Sequence, residues 1–327
     1  MDADPENRSP SMTKEDIQLF VKAQKEDFAK CLPPSMDCDE KPIHAHSIQN
    51  AQVLHLIQTA GHVLMPRYKL VKGEPVMKFE KIGRNEASTF TGLCSKHDTE
   101  LFKAIDTEPL DVDNCEHLRQ LAYRSVMREM HTELGNGERA WAMHEELCKE
   151  QQVDPNEAVT AASLLSIDHY KKAHNVFRYR MKHFDTPAEE GKATGLRHLI
   201  IEMDNQKPVL AASSLFSTGF TEEGDIIGPT LNIVPLSGAK SVAIISCPAE
   251  QQAAVKASLA KVFDADEKTL KYELAKLVIQ RVENFTLSPA HYDTWSEDKR
   301  ARVLREFEAC LAEPKDIPDH PDLNIFL

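Results

Sequence analysis

A chain of 327 residues exceeds what one ordinary hydrophobic core organises, so two or three folding units are expected. Hydrophobic residues make up 41% and charged residues 28%, a globular balance, and no run approaches the roughly 20 apolar residues of a membrane helix. The net charge of −13 argues against a protein that coats nucleic acid, which is usually basic, although a local basic stripe would still serve a nuclease.

The acidic, polar start Met1–Glu6 is the opposite of a signal peptide, and a cytoplasmic location is expected. In a reducing compartment, seven cysteines read as ligands or core residues rather than a disulfide framework.

Residues 1–12 are polar. Ile17, Leu19, Phe20, Ala23 and Phe28 recur at helical spacing and predict a helix over 13–29, ended by Pro33-Pro34. The turn-rich stretch 31–46 carries Cys31, Cys38, His44 and His46. A helix is expected over 47–59, stopped by Gly61. Short strands follow at 62–65, 68–71 and 76–79, the last two joined by the turn Lys72-Gly73-Glu74-Pro75. Leu93-Cys94 then leads into a helix to about residue 105. The block 113–184 reads as helices over 122–134 and 140–151, separated by Gly135-Asn136-Gly137, and a long helix over 154–184.

Beyond this point the composition turns β-rich. Residues 196–203 and 208–216 predict one hairpin. Residues 231–236 and 241–246 predict a second, across Ser237-Gly238-Ala239-Lys240. Three helices are expected near 249–263, 267–284 and 296–312. The fold class is therefore α+β. A treble-clef-like Cys/His zinc-binding domain spans 1–112, a helical segment 113–190, and an α+β domain with an antiparallel sheet and packed helices 191–327.

The strongest chemical signal is Cys31-x6-Cys38 with Cys94-x2-His97. Zinc takes four soft or borderline ligands in a tetrahedron, and Cys and His supply them. A loop holds the first pair. The second opens a predicted helix, whose first turn presents residues three apart on one side. Packing alone is the competing reading, since free cysteine is often simply buried. Cys115, Cys148, Cys247 and Cys310 have no ligand-spaced histidine and read as core.

His44 and His46 alternate in an extended segment and are expected on one side, able to meet one ion. His44 is a candidate fourth zinc ligand alongside His46, His62 and His97. Asp98 follows His97 directly, which leaves material for a second divalent metal that activates water. Alternatively, one histidine completes the zinc site and the other lies on the surface.

The order cysteine pair, Ala45-His46-Ser47-Ile48, short strands, Leu93-Cys94-x-x-His97 resembles the zinc-braced variety of HNH endonucleases over about residues 31–105. The resemblance implies His46 as general base and Asn85, in Gly83-Arg84-Asn85-Glu86, as the residue that orients it. It places His97 or Asp98 at the metal-binding helix. The chain as a whole also resembles a bacterial family with this Cys/His N-terminal part, which implies no activity.

Ser237-x-x-Lys240 matches a serine acyl-enzyme pattern, but that motif should open a helix, and here it falls in a hairpin turn. The basic and aromatic stretch 171–183 suits phosphate contact and base stacking, or equally a solvated helix face. Residues 67–103 carry eight Lys/Arg against five acids, a locally positive region near the expected metal. Gly-rich phosphate loops and His-Glu-x-x-His helices are absent from the sequence. Three functions remain. The first is an HNH-like nuclease acting on nucleic acid. The second is a non-catalytic protein with a structural zinc and a protein-interaction C-terminal domain. The third is a metal hydrolase using His44, His46 and Asp98.

Overall fold

The computed structural model describes residues 28–185, 195–203, 207–312 and 315–327. The helix expected over 13–29 falls outside them except for its last two positions, which are irregular. The first strand, β1 (Ile43–His46), leads to a π-helical turn over Asn50–Leu54 and a single turn α1 (His55–Ile57). The expected helix over 47–59 is thus present only as this irregular pair of turns. Next come β2 (His62–Val71), β3 (Glu74–Gly83), β4 (Thr89–Leu93) and α2 (Ser95–Thr107). β1 pairs antiparallel with β4, so that Cys94 caps α2 at the end of a small two-stranded sheet.

The three short strands expected over 62–79 are two strands of ten residues in register from His62–Gly83 to Val71–Glu74. Lys72 (φ 54°) and Gly73 (φ 84°) make the two-residue turn, whose positive φ values match the twist of a hairpin. Pro66 does not interrupt β2. The neighbouring strand on its other side reaches only Leu64, so the missing N–H faces no ladder there.

The helices α3 (Cys115–Gln151) and α4 (Ala161–His183) form the largest helical pair. Asn114 caps α3, its side chain accepting from the amides of Glu116 (2.9 Å) and His117 (3.4 Å). α4 opens later than expected, on a reciprocal box between Thr160 and Ser163. The Gly135-Asn136-Gly137 break is also corrected, because α3 runs through it. A Cβ on Gly137 would lie 3.1 Å from the Tyr170 ring, and the Ser166 hydroxyl donates to the Gly137 carbonyl at 2.8 Å. Glycine here permits close helix packing rather than a turn. Cys115, expected in the core, is exposed at the first position of α3, while Cys148, Cys247 and Cys310 are buried as expected.

The C-terminal half contributes β5 (Leu196–Met203), β6 (Leu210–Leu215), β7 (Gly219–Phe220), β8 (Ile226–Ile227), β9 (Thr230–Leu236) and β10 (Lys240–Pro248). A 3-10 turn and the helices α5 (Gln252–Ser258), α6 (Ala260–Phe263) and α7 (Leu270–Arg281) follow. The chain then forms β11 (Phe285–Leu287), α8 (Pro289–Tyr292) and α9 (Glu297–Ala312). Among the described residues the largest sheet is antiparallel with seven strands, in the order β3-β2-β11-β6-β9-β10-β5. It takes two strands from the segment 1–112 and five from 191–327, so it crosses both expected boundaries.

The hairpin expected across Ser237–Lys240 is present, with Leu236 opposite Lys240. The hairpin expected between 196–203 and 208–216 is not: β5 pairs with β10, while β6 pairs with β9 and β11. The residues explain the separation. β6 is buried at all six positions and suits the centre of a sheet covered on both faces, whereas β5 carries exposed Arg197 and Glu202 and forms the edge.

Alternation along the central strands divides the core. Ala212, Leu231, Ile233, Ala243 and Ile245 pack with Leu274, Val278, Val303 and Phe307 of the C-terminal helices. The intervening Ala211, Val234, Val242 and Ile244 join Val53, Leu54, Ile57 and Val63 on the opposite face. A third cluster, containing Cys31, Leu32, Cys94, Phe102, Tyr123, Met127 and Tyr179, lies beneath the small sheet and the helical pair.

Candidate metal centre

The donor atoms of Cys31, Cys38, Cys94 and His97 all lie within 4.8 Å of one another. Three short segments deliver them: the loop before β1, the end of β4, and the first turn of α2. The His97 Nδ1 is 3.3 Å from both the Cys31 and Cys94 sulfurs. Zinc–ligand bond lengths imply about 3.8 Å between two sulfurs and about 3.6 Å between sulfur and nitrogen in a tetrahedral site. The four donors are therefore close to the spacing that an ion demands. Cys31 and Cys94 are buried, and no disulfide links the three cysteines.

The thiols sit in contrasting environments. Burial foremost pushes the Cys31 thiol up to about 12, with the Cys38 and Cys94 side chains adding to the rise. The backbone amide of His97, at the start of α2, holds Cys94 below its ordinary range. Packed thiolates repel one another, and a divalent cation removes that cost by replacing their protons.

The cluster is anchored from behind by Arg180 of α4, which is fully buried. Its guanidinium donates to the Leu32 carbonyl (3.0 Å) and the Pro33 carbonyl (3.3 Å), the two residues after Cys31. It also pairs with Asp185 at 3.0 Å, and the Tyr123 hydroxyl donates to the same carboxylate. The Leu32 amide donates to the Gly92 carbonyl at 2.8 Å, which ties the loop to β4.

His44 is exposed on β1 and is not among the four donors, so His97 completes the set that converges. His46 does not share its side. The register shifts between Ile43 and Ala45, and His46 turns half-buried toward the loop after β3. Its Nε2 lies 3.1 Å from the Arg84 carbonyl, which can only accept, so Nε2 carries the proton and a neutral ring keeps its lone pair on Nδ1. Burial foremost lowers the His46 pKa. Asn85 is exposed and accepts from Asn50 Nδ2 at 2.8 Å. Asp98 is half-buried, its Oδ1 has no partner among the described residues, and burial raises its pKa.

His46 and Asp98 both feel Arg124 and Asp106, two residues the sequence reading missed. Arg124 of α3 is 3% exposed and makes a bidentate pair with Asp106 at 2.8 and 2.6 Å, with its guanidinium over the Phe102 ring. The available signal was a charge at a helix position flanked by Ala122, Tyr123, Val126 and Met127, where the apolar face would otherwise continue. The basic-aromatic stretch divides likewise. Tyr179 and Arg180 are buried, while Arg178 and Lys182 pair with Asp225 at 2.5 and 3.2 Å.

Among the described residues, no helix is long and apolar enough to cross a membrane. Comparison of the chain with protein-family models, curated proteins and solved structures gives no match.

Proposed function

We propose that this is a zinc protein in which Cys31, Cys38, Cys94 and His97 hold one structural ion in the manner of a treble clef. The observation that carries the reading is the convergence of three cysteines and one histidine from three segments within 4.8 Å. The residues suit zinc, because soft thiolates with one imidazole in a four-donor set are its usual structural coordination. When bound, the ion supplies a point charge that locks the loop before β1 to the β4–α2 junction. Helix α2 presents Cys94 and His97 from one turn, and Arg180 keeps the Cys31 loop in place.

The test is the metal content of reduced, freshly purified protein, beside Cys94→Ser. One zinc per chain, lost in the variant, is the expected result. Wild type without metal, and with unaltered stability under a chelator, overturns the reading.

A second reading, an HNH-like metal-dependent nuclease, is favoured by one observation. The Arg84 carbonyl fixes the His46 tautomer and leaves Nδ1 as an acceptor, as a general base requires. In this reading His46 takes a proton from water, Asp98 contributes to a second divalent site, and Asn85 lies beside the residue that holds His46. Cleavage of single- and double-stranded DNA and RNA with magnesium or manganese tests it. Activity abolished by His46→Ala is expected, and full activity in that variant, or none in wild type, removes it.

A further inference from the structure

A cavity of about 540 Å³ lies between the 50–57 turns, α3 and β9, on the sheet face away from the C-terminal helices. We propose that it binds a small, uncharged, largely apolar molecule that carries a hydrogen-bond acceptor such as a carbonyl. The inference is independent of the zinc reading.

The base of the cavity is polar and built. Ser213 of β6 and Asn232 of β9 face each other across the strand pair and are 1% and 2% exposed. Ser125, from α3, lies 2.9 Å from the Ser213 hydroxyl and donates to the Asn232 Oδ1 at 3.2 Å. That contact fixes one end of the Asn232 amide. The other end, Nδ2, is buried and has no partner among the described residues. Arg124, which also lines the cavity, likewise keeps its Nε–H without a partner there. Both unpartnered groups are donors, and a buried donor left unpaired is costly. A ligand that brings an acceptor to this end removes the cost.

The apolar side chains of the remaining walls, which stand beside Gln49, Gln52 and His55, set the rest of the ligand. Leu56, Leu110, Leu121, Val234 and Leu236 line the cavity. Water at the Asn232 end would find polar partners, but against these side chains it would not, so carbon is the better filling. The volume lies within the range of small-molecule sites. Charge is disfavoured because Arg124 is already matched by Asp106 in a bidentate pair and Lys240, which also lines the cavity, is likewise engaged, so neither cation calls for an ionic ligand. Asn232 shares its strand face with Val234, where an apolar residue would pack as well, which fits a reader of a bound polar group.

The experiment uses the full chain with labelled leucine and valine methyl groups, titrated in NMR with acetophenone, isopropylbenzene and benzoate. The first two match in shape and differ in the carbonyl, and the third adds charge. Acetophenone is expected to shift the Leu121, Val234 and Leu236 methyls and to bind at least tenfold more tightly than the other two. In Asn232→Leu that preference for acetophenone over isopropylbenzene should vanish. The preference in wild type needs no variant, so a variant that fails to fold leaves the test intact. Three results overturn the proposal: no probe moves these methyls, isopropylbenzene binds as well as acetophenone, or benzoate binds best.

Discussion

Arg180→Met isolates the anchor behind the candidate metal centre. Arginine stays charged in any protein environment, so the fully buried guanidinium depends on its partners: the Asp185 carboxylate and the carbonyls of Leu32 and Pro33. Methionine keeps the packing stem but strands Asp185, which is only 10% exposed, with the Tyr123 hydroxyl as its remaining side-chain partner among the described residues. Removing one member of a buried ion pair costs about 3–5 kcal/mol. That corresponds to a transition temperature lower by roughly 5–15 °C for a chain of this size. Converting the stranded acid as well, in Arg180→Met/Asp185→Asn, should recover about 1 kcal/mol or more. Because the two carbonyls follow Cys31 directly, zinc-loaded Arg180→Met should also release its metal to a chromogenic chelator faster than wild type. Denaturant melts and release kinetics read both effects. A single variant within about 0.5 kcal/mol of wild type, the range of an ordinary surface change, with unchanged release, would refute the idea that Arg180 holds the loop.

Gly137→Ala should destabilise by about 1–3 kcal/mol, because its Cβ meets the Tyr170 ring at 3.1 Å. A gain of about 1 kcal/mol, as at an exposed helix glycine, would contradict the close packing. Cys38→Ser should lose zinc while Cys115→Ser, altered at an exposed position, keeps it; equal retention by mass spectrometry would remove Cys38 from the ligand set. Glu129, largely buried, is raised from 4.5 to about 8, chiefly by burial, with Glu283 and Glu133 adding and Arg128 and Lys172 opposing. The folded state then holds a proton that the unfolded chain has released. The stabilisation is complete below about 4.5 and is lost as pH rises toward 8. Glu129→Gln should flatten the fall in melting temperature over that interval, and parallel curves for the two proteins would count against the assignment.

What was legible in the sequence was local. Ligand type and spacing marked Cys31, Cys38, Cys94 and His97 as candidate ligands, with His44 also in the candidate set, because Cys and His at ligand spacing and a helix start are visible in the residues themselves. The turns at Lys72-Gly73 and Ser237–Lys240 were equally readable, since positive φ restricts the residues that can occupy them. β-rich composition along β6, β9 and β10 announced strands but not their neighbours. The order of β5 and β6 depended on which strand could bear burial on both faces, a property of the assembled sheet.

The same distinction separates the two readings of glycine and of charge. Gly135-Asn136-Gly137 looks like a break until Tyr170 and Phe28 lie against it, and then the missing side chains serve packing inside one continuous helix. Arg124 and Arg180 look like solvated helix residues until Asp106, Asp185 and the Leu32 and Pro33 carbonyls surround them. Asn232 looks like an ordinary polar strand residue until one end of its amide is fixed by Ser125 and the other is left buried without a partner among the described residues. Local propensity and ligand chemistry are written residue by residue. The meaning of a buried polar group lies in partners far along the chain, and only tertiary structure supplies them.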